Sequence, residues 1–133
     1  MNGDRLKKDV MSLPYGNLAV HDSGADLASA AIGTVVDLIE LPPGARLMDA
    51  RLIHAGLGAS TTLTLGYRFP NGGGTDAAAG LLASASSASA GRRETTVAPI
   101  QFSAPVIITA TVGGAAATGR IDAVVEYVDN GTL

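Results

Sequence analysis

A chain of 133 residues with net charge −3 and no cysteine has the size of one domain and can hold neither a disulfide framework nor a thiolate site. Its mild acidity is not the basic excess of a nucleic-acid binder, and no run approaches the roughly 18 apolar residues of a membrane span. Hydrophobic residues reach 47% but aromatics only 4%, so the core must be built from Val, Ile, Leu and Ala.

Residues 1–17 show no clear period. They mix Arg5, Lys7 and Lys8 with Pro14 and Gly16 and read as an N-terminal arm. The polar start is followed by no apolar h-region, so it is not read as a signal peptide. Residues 18–133 read as a single domain. Its first part, His21 to Ala31, contains Asp22, Ser23, Gly24 and Asp26 and is expected to be a turn or loop. Ile32–Leu41 is rich in Val, Ile and Leu and reads as a strand stopped by Pro42-Pro43-Gly44. Pro43-Gly44 suits the centre of a type II turn, because Pro fixes φ at the first position and Gly accepts a positive φ at the second. Arg46–Ala55 follows as a strand, with Met48, Ala50, Leu52 and His54 expected on one face.

Thr61–Tyr67 alternates Leu63, Leu65 and Tyr67 against Thr62, Thr64 and Gly66. Pro70 to Gly74 then breaks the chain. Ala77–Ala90 is nearly all Ala, Ser, Gly and Leu; it reads either as a short helix capped by Thr75 or Asp76 and ended by Gly91, or as a surface loop with a helical turn. Strands resume at Pro99–Ser103, Val106–Val112 and Arg120–Val128. The last of these sets Ile121, Ala123, Val125 and Tyr127 against Arg120, Asp122 and Glu126. Six or seven short strands, at most one short helix and no βαβ rhythm predict an all-β fold. The expected architecture is an antiparallel β-sandwich or jelly-roll-like barrel with an extended N-terminal arm.

The inventory of reactive groups points away from catalysis, cofactors and metals. His21 and His54 lie on separate segments without the convergent ligands that a metal needs. Asp22 and Asp26 are too few for calcium, which takes six to eight oxygens, and Asx-turn chemistry accounts for Asp22. Asp37 and Glu40, three apart on one strand, are expected on opposite faces and so cannot pair as acid and base. Gly56-Leu57-Gly58 lacks the third glycine of a dinucleotide fingerprint and precedes a strand, so it reads as a flexible hairpin loop. Arg92-Arg93-Glu94 reads as a solvated turn. A carbohydrate-binding module is the alternative of a different kind. Sugar platforms use exposed Trp or Tyr; with no Trp present, Tyr67 and Tyr127 are expected in the core.

The strand–turn–strand segment from Thr34 to Ala50, centred on Glu40-Leu41-Pro42-Pro43-Gly44-Ala45-Arg46, resembles the hairpin that opens the β-sandwich of small phage structural proteins. Leu57 to Gly66, Val106–Thr111 and Thr118–Val128 resemble later strands of the same pattern, in order. On these residues the chain is similar to the decoration, or cement, proteins of tailed-phage heads. The resemblance implies a non-enzymatic virion protein, made in the host bacterial cytoplasm, that binds the outer surface of the capsid. Its implied partners are the major capsid protein and itself as a homotrimer, with neither nucleic acid nor membrane. Head-fibre bases and tail-associated adhesins share this grammar and stand as alternatives. Contacts to the capsid or a neighbouring subunit are expected from the arm, at Arg5, Lys7, Lys8, Leu13 and Tyr15.

Overall fold

The computed structural model describes residues 18–129. Among them are nine strands: β1 (Leu18–Ala30), β2 (Val35–Leu41), β3 (Ala45–His54), β4 (Thr62–Arg68), β5 (Ala77–Ser86), β6 (Gly91–Glu94), β7 (Ile100–Gln101), β8 (Val106–Gly113) and β9 (Ala117–Asp129). Their pairing is nested. β4 pairs with β5, β3 with β6 and β7, β2 with β8, and β1 with β9, all antiparallel. β6 and β7 lie along successive parts of β3 and act as one interrupted strand. This long ribbon is rolled up so that β9 also pairs with β3 and β8 with β4. The result is two sheets, β1-β9-β3-β6 with β7 beside β3, and β2-β8-β4-β5. Such a rolled double sheet is a jelly roll.

Alternation at period two builds the core between them. Val106, Ile108, Ala110 and Val112 of β8 face Ile121, Ala123 and Val125 of β9, and all seven are buried. Leu63 and Leu65 of β4 join them, with Leu47, Ala50 and Leu52 of β3. The expected phase of β3 fails at Met48. A bulge sets the two residues after Leu47 against one step of β9, so Met48 turns outward while Leu47 and Ala50 both face in. A second bulge, between Asp37 and Ile39, corrects the reading of Asp37 and Glu40. Their partners on β8 are Thr109 and Ile107, two apart, so both acids lie on the outer face.

Two segments differ from expectation as whole elements. His21–Ala31, expected as a loop, is strand as far as Ala30: that stretch belongs to β1, whose residues Leu18 to Leu27 pair one for one with Val128 to Gly119. Its turn-forming residues are accommodated by that partner. A Cβ on Gly24 would overlap Asp122 Oδ1, so glycine is what lets the two strands lie together. Ala77–Ala90, expected as a helix or loop, begins with β5, which covers the free edge of β4 through two irregular steps. Small residues are needed there because the backbones come close: a Cβ on Gly66 would overlap the Ala77 carbonyl oxygen. Pairing outweighs the weak helix preference of an Ala/Ser run.

The turn at Pro42-Pro43-Gly44 has the expected form. The Ala45 N–H donates to the Pro42 carbonyl at 3.3 Å and Gly44 has φ 85°. It is a corner and not a hairpin, because β2 and β3 lie in different sheets. Gly56–Gly58 likewise crosses between sheets. Leu57 is buried and bonds Ser87 through its N–H and Thr118 through its carbonyl, so this loop is anchored.

Arg92-Arg93-Glu94 is strand and not turn, and Arg93 joins the sheets. From β6 its guanidinium donates to the carbonyls of Leu63 on β4 (3.2 Å) and Ala83 on β5 (2.5 Å). One residue beyond β6, the Thr95 hydroxyl donates to the Leu81 carbonyl at 2.7 Å. Hydrogen bonds from a charged donor contribute about 1.5–3 kcal/mol each when part-buried. Arg93→Ala should therefore lower unfolding free energy in urea by about 1–3 kcal/mol, whereas exposed Arg92→Ala should stay within about 0.5 kcal/mol. Gly66→Ala should cost at least as much as Arg93→Ala in the same titration, because backbone and not a flexible side chain blocks the added methyl.

Candidate interface

The polar side chains of the described residues mostly satisfy one another. Arg68 on β4 reaches across β8 to Asp37 on β2, with Nε and Nη2 bonding the two carboxylate oxygens at 3.0 and 2.8 Å. Arg51 on β3 lies between Asp49 (3.2 Å) and Glu126 of β9 (2.5 Å). Arg120 on β9 contacts Asp122 at 3.0 Å and Asp26 of β1 at 3.4 Å. Each cation bridges strands, and two of the three pairings join edge strands to central ones. Their chemistry is structural.

The side chains capable of chemistry are dispersed. His21 stands on β1, not in a loop, and its Nε2 lies 3.1 Å from the Tyr127 hydroxyl. His54 is buried at the end of β3, where Nδ1 donates to the Ala55 carbonyl at 3.0 Å. Asp22 and Asp26 are strand residues on the outer face of β1, opposite Val124 and Arg120, so no Asx loop forms there. Among the described residues no three His, Asp or Glu side chains come together in a way that could hold a metal ion, and no helix is long and apolar enough to cross a membrane. Tyr67 packs edge-on against Phe69 and Phe102 with ring centroids 5.9 and 5.2 Å away. Tyr127 is buried beside His21. Neither ring is laid flat on the surface as a sugar platform would be. Arg5, Lys7, Lys8, Leu13 and Tyr15 lie outside the described residues.

What the surface does offer is an asymmetry between its two sides. Along β5 and β6 the sheets are laced by Arg93 and Thr95. Along β1 and β2, the outer strands at the other side, no hydrogen bond of that kind joins the sheets among the described residues. That side carries Leu18 and Val20 on β1, Ile32 in the turn between β1 and β2, and Val35 at the start of β2, each 52–64% exposed. Val128 adjoins Leu18 on β9. The charges on β1 and β2 themselves are acidic, Asp22 and Asp26 on β1 and Asp37 and Glu40 on β2, with Arg120 paired to Asp26 and Arg68 to Asp37. Apolar side chains left beside an unpaired strand edge mark an interaction surface. The signal for it in the sequence is slight: Leu18 and Val20 alternate just before a stretch whose residues favour turns.

No family model and no curated protein matches this chain. Solved structures do. A chain in the capsid of Ralstonia phage GP4 superposes with TM-score 0.68 at 20% identity, over 88% of this chain and 87% of that one. A chain in the acid-stable capsid of Helicobacter pylori bacteriophage KHP30 gives 0.62 at 16% identity, over 85% and 88%. One in the capsid asymmetric unit of cyanophage Pam1 gives 0.70 at 18% identity, over 96% of each. The fold of this chain is thus one found in phage capsids.

The Asp37–Arg68 pair gives this surface an acid-sensitive element. Hydrogen bonding to the Arg68 guanidinium holds the Asp37 carboxyl below the ordinary range. Its contribution is present above the ordinary carboxylate pKa of about 4 and is lost as pH falls through the lowered value. Arg68→Gln should flatten the fall of the urea midpoint below about pH 4 and leave its slope near neutrality unchanged. The effect is small, because both side chains are substantially exposed.

Proposed function

We propose that this chain is a non-enzymatic structural protein of a phage virion, which binds the outside of the capsid and stabilises it by bridging neighbouring capsomers. The observation that carries this reading is the match of nearly the whole chain to nearly the whole of chains from three phage capsids. The strand-and-turn resemblance to head decoration proteins points the same way. So does the dispersal of His and acidic side chains, which leaves the exposed apolar side along β1 and β2 as the prominent surface feature.

The physical logic is linkage. A subunit that binds assembled capsomers and not dissociated ones shifts the equilibrium toward the shell, by an amount set by its concentration relative to its dissociation constant. Repetition around the lattice multiplies the gain. A stiff core of small aliphatic residues suits that task, and so does an arm bearing Arg5, Lys7, Lys8, Leu13 and Tyr15 to reach the major capsid protein or a neighbouring subunit. A homotrimer at local threefold positions would cover strand edges through closed symmetry.

The test is to label the protein on purified virions and image them. Regular label over the head is expected, and washing it off with salt or heat should leave particles that lose their DNA at a lower temperature. Label confined to the tail or one vertex would instead make the chain a fibre base or adhesin. Absence from the particle would end the virion reading.

A further inference from the structure

We infer that the outer face of β2 seats a lysine or arginine of the shell protein, its stem in an aliphatic hollow and its charge on Glu40. The inference rests on the reading of the chain as a capsid-binding protein and names the chemistry that this side of the molecule recognises.

The hollow lies at the bulge of β2. Between Asp37 and Ile39 two residues of β2 match one step of β8, which bends the strand. An open depression of about 190 Å³ is lined there by Asp37, Leu38, Ile39, Glu40 and Ile107. Three of these five residues are aliphatic, so its lining is largely apolar. Val35, 52% exposed, stands two residues before Asp37 on the same face and continues the apolar surface. β2 is the outermost strand of its sheet among the described residues, so no neighbouring strand covers that margin.

The charges decide what fits. Glu40 stands opposite Ile107 on β8, and Arg68 on β4 stands opposite the same Ile107. Arg68 is therefore in line with Glu40, yet it turns to Asp37 and bonds both of its carboxylate oxygens. Asp37 is answered within the fold, and Glu40 has no partner among the described residues. Glutamate is depleted in strands. In β2, otherwise Val, Leu, Ile and one paired Asp, it is the residue whose choice the fold does not repay. Such a break in local preference marks a functional position. One free carboxylate is too little for calcium, which takes six to eight oxygens. It matches a single organic cation, and the hollow beside it matches the methylene stem that Lys and Arg lay along apolar surface.

The cation comes from another protein. The described residues hold no lysine and six arginines. Four of these, Arg51, Arg68, Arg93 and Arg120, are already bonded inside the fold. The chain as a whole carries net charge −3, so a second copy brings more repulsion than complement to an acidic margin.

The test uses the full-length chain and heads stripped of it. Glu40→Gln should bind the heads about three- to fivefold more weakly than the natural chain, the loss of one exposed-to-half-covered ion pair. Its binding should also fall less steeply with added salt, with melting temperature unchanged. Glu94→Gln removes the same charge from β6 at the opposite margin and should bind as the natural chain does. With Val35 replaced by p-benzoylphenylalanine, irradiation on heads should join the chain to the shell protein. Undiminished binding by Glu40→Gln, or an equal loss in Glu94→Gln, overturns the inference and leaves the capsid reading standing. Adducts confined to the chain itself or to a second copy also overturn it. A natural chain that fails to bind stripped heads removes the capsid reading and the inference together.

Discussion

Strands β8 and β9 are bonded on both sides, and the rest of the molecule is arranged around that fact. Each lies in the middle of its sheet, so its inward residues meet those of the other strand with no route to water. Buried there are small aliphatic side chains at period two. Every other strand is stable because it pairs with one of these two or with a strand that does. The ion pairs share the same plan: Arg68 passes over β8 to reach β2, and Arg51 and Arg120 tie β9 to its neighbours. Tyr67, Phe69 and Phe102 pack against one another away from this arrangement, while Tyr127 lies on β9 itself beside His21.

The legibility of the sequence depends on where a residue's partner lies. β4, β8 and β9 alternate cleanly because one face of each meets the core, and their inward residues are readable from the alternation of apolar and polar positions; β3 is readable in this way only beyond its bulge at Met48. The corner at Pro43-Gly44 is readable too, since a positive φ at Gly44 is a local requirement. Elements whose form is imposed from elsewhere are not. Nothing between Asp22 and Asp26 says strand; β9 makes it one. Gly80 and the serines only weaken a helix over Ala77–Ser86; the open edge of β4 and the close approach at Gly66 rule it out. The bulges at Leu38 and Met48 invert the facing of the residues beyond them without any mark in the side chains themselves. Simple alternation therefore puts Asp37 and Glu40 on opposite faces, and the folded strand does not.

The interaction surface is legible only in part, for a related reason. An exposed Leu or Val is commonplace one at a time. Leu18 and Val20 gain meaning only when β1 is known to be outermost, and Ile32 and Val35 only when β2 is known to flank it. The lacing of the far side by Arg93 sharpens the contrast. A side chain that passes for a solvated charge in the sequence closes one margin of the sandwich, so that the other margin is left as the place where the molecule can be extended.

The nesting of strand pairs also governs how the chain can come into being. Its outermost pair, from Leu18 with Val128 to Ala30 with Ala117, joins residues 87 to 110 apart in sequence, and the bond between His21 and Tyr127 spans 106. Folds dominated by such distant contacts form slowly, because the loop must close before the contacts that reward it exist. During synthesis at about 5–20 residues per second, β1 leaves the ribosome roughly 5–20 s before β9 does. For that interval both its margins are bare. A chain cut before β9 would never acquire the strand that turns residues 18–30 into structure, so residues 117–129 decide whether the first described ones fold at all.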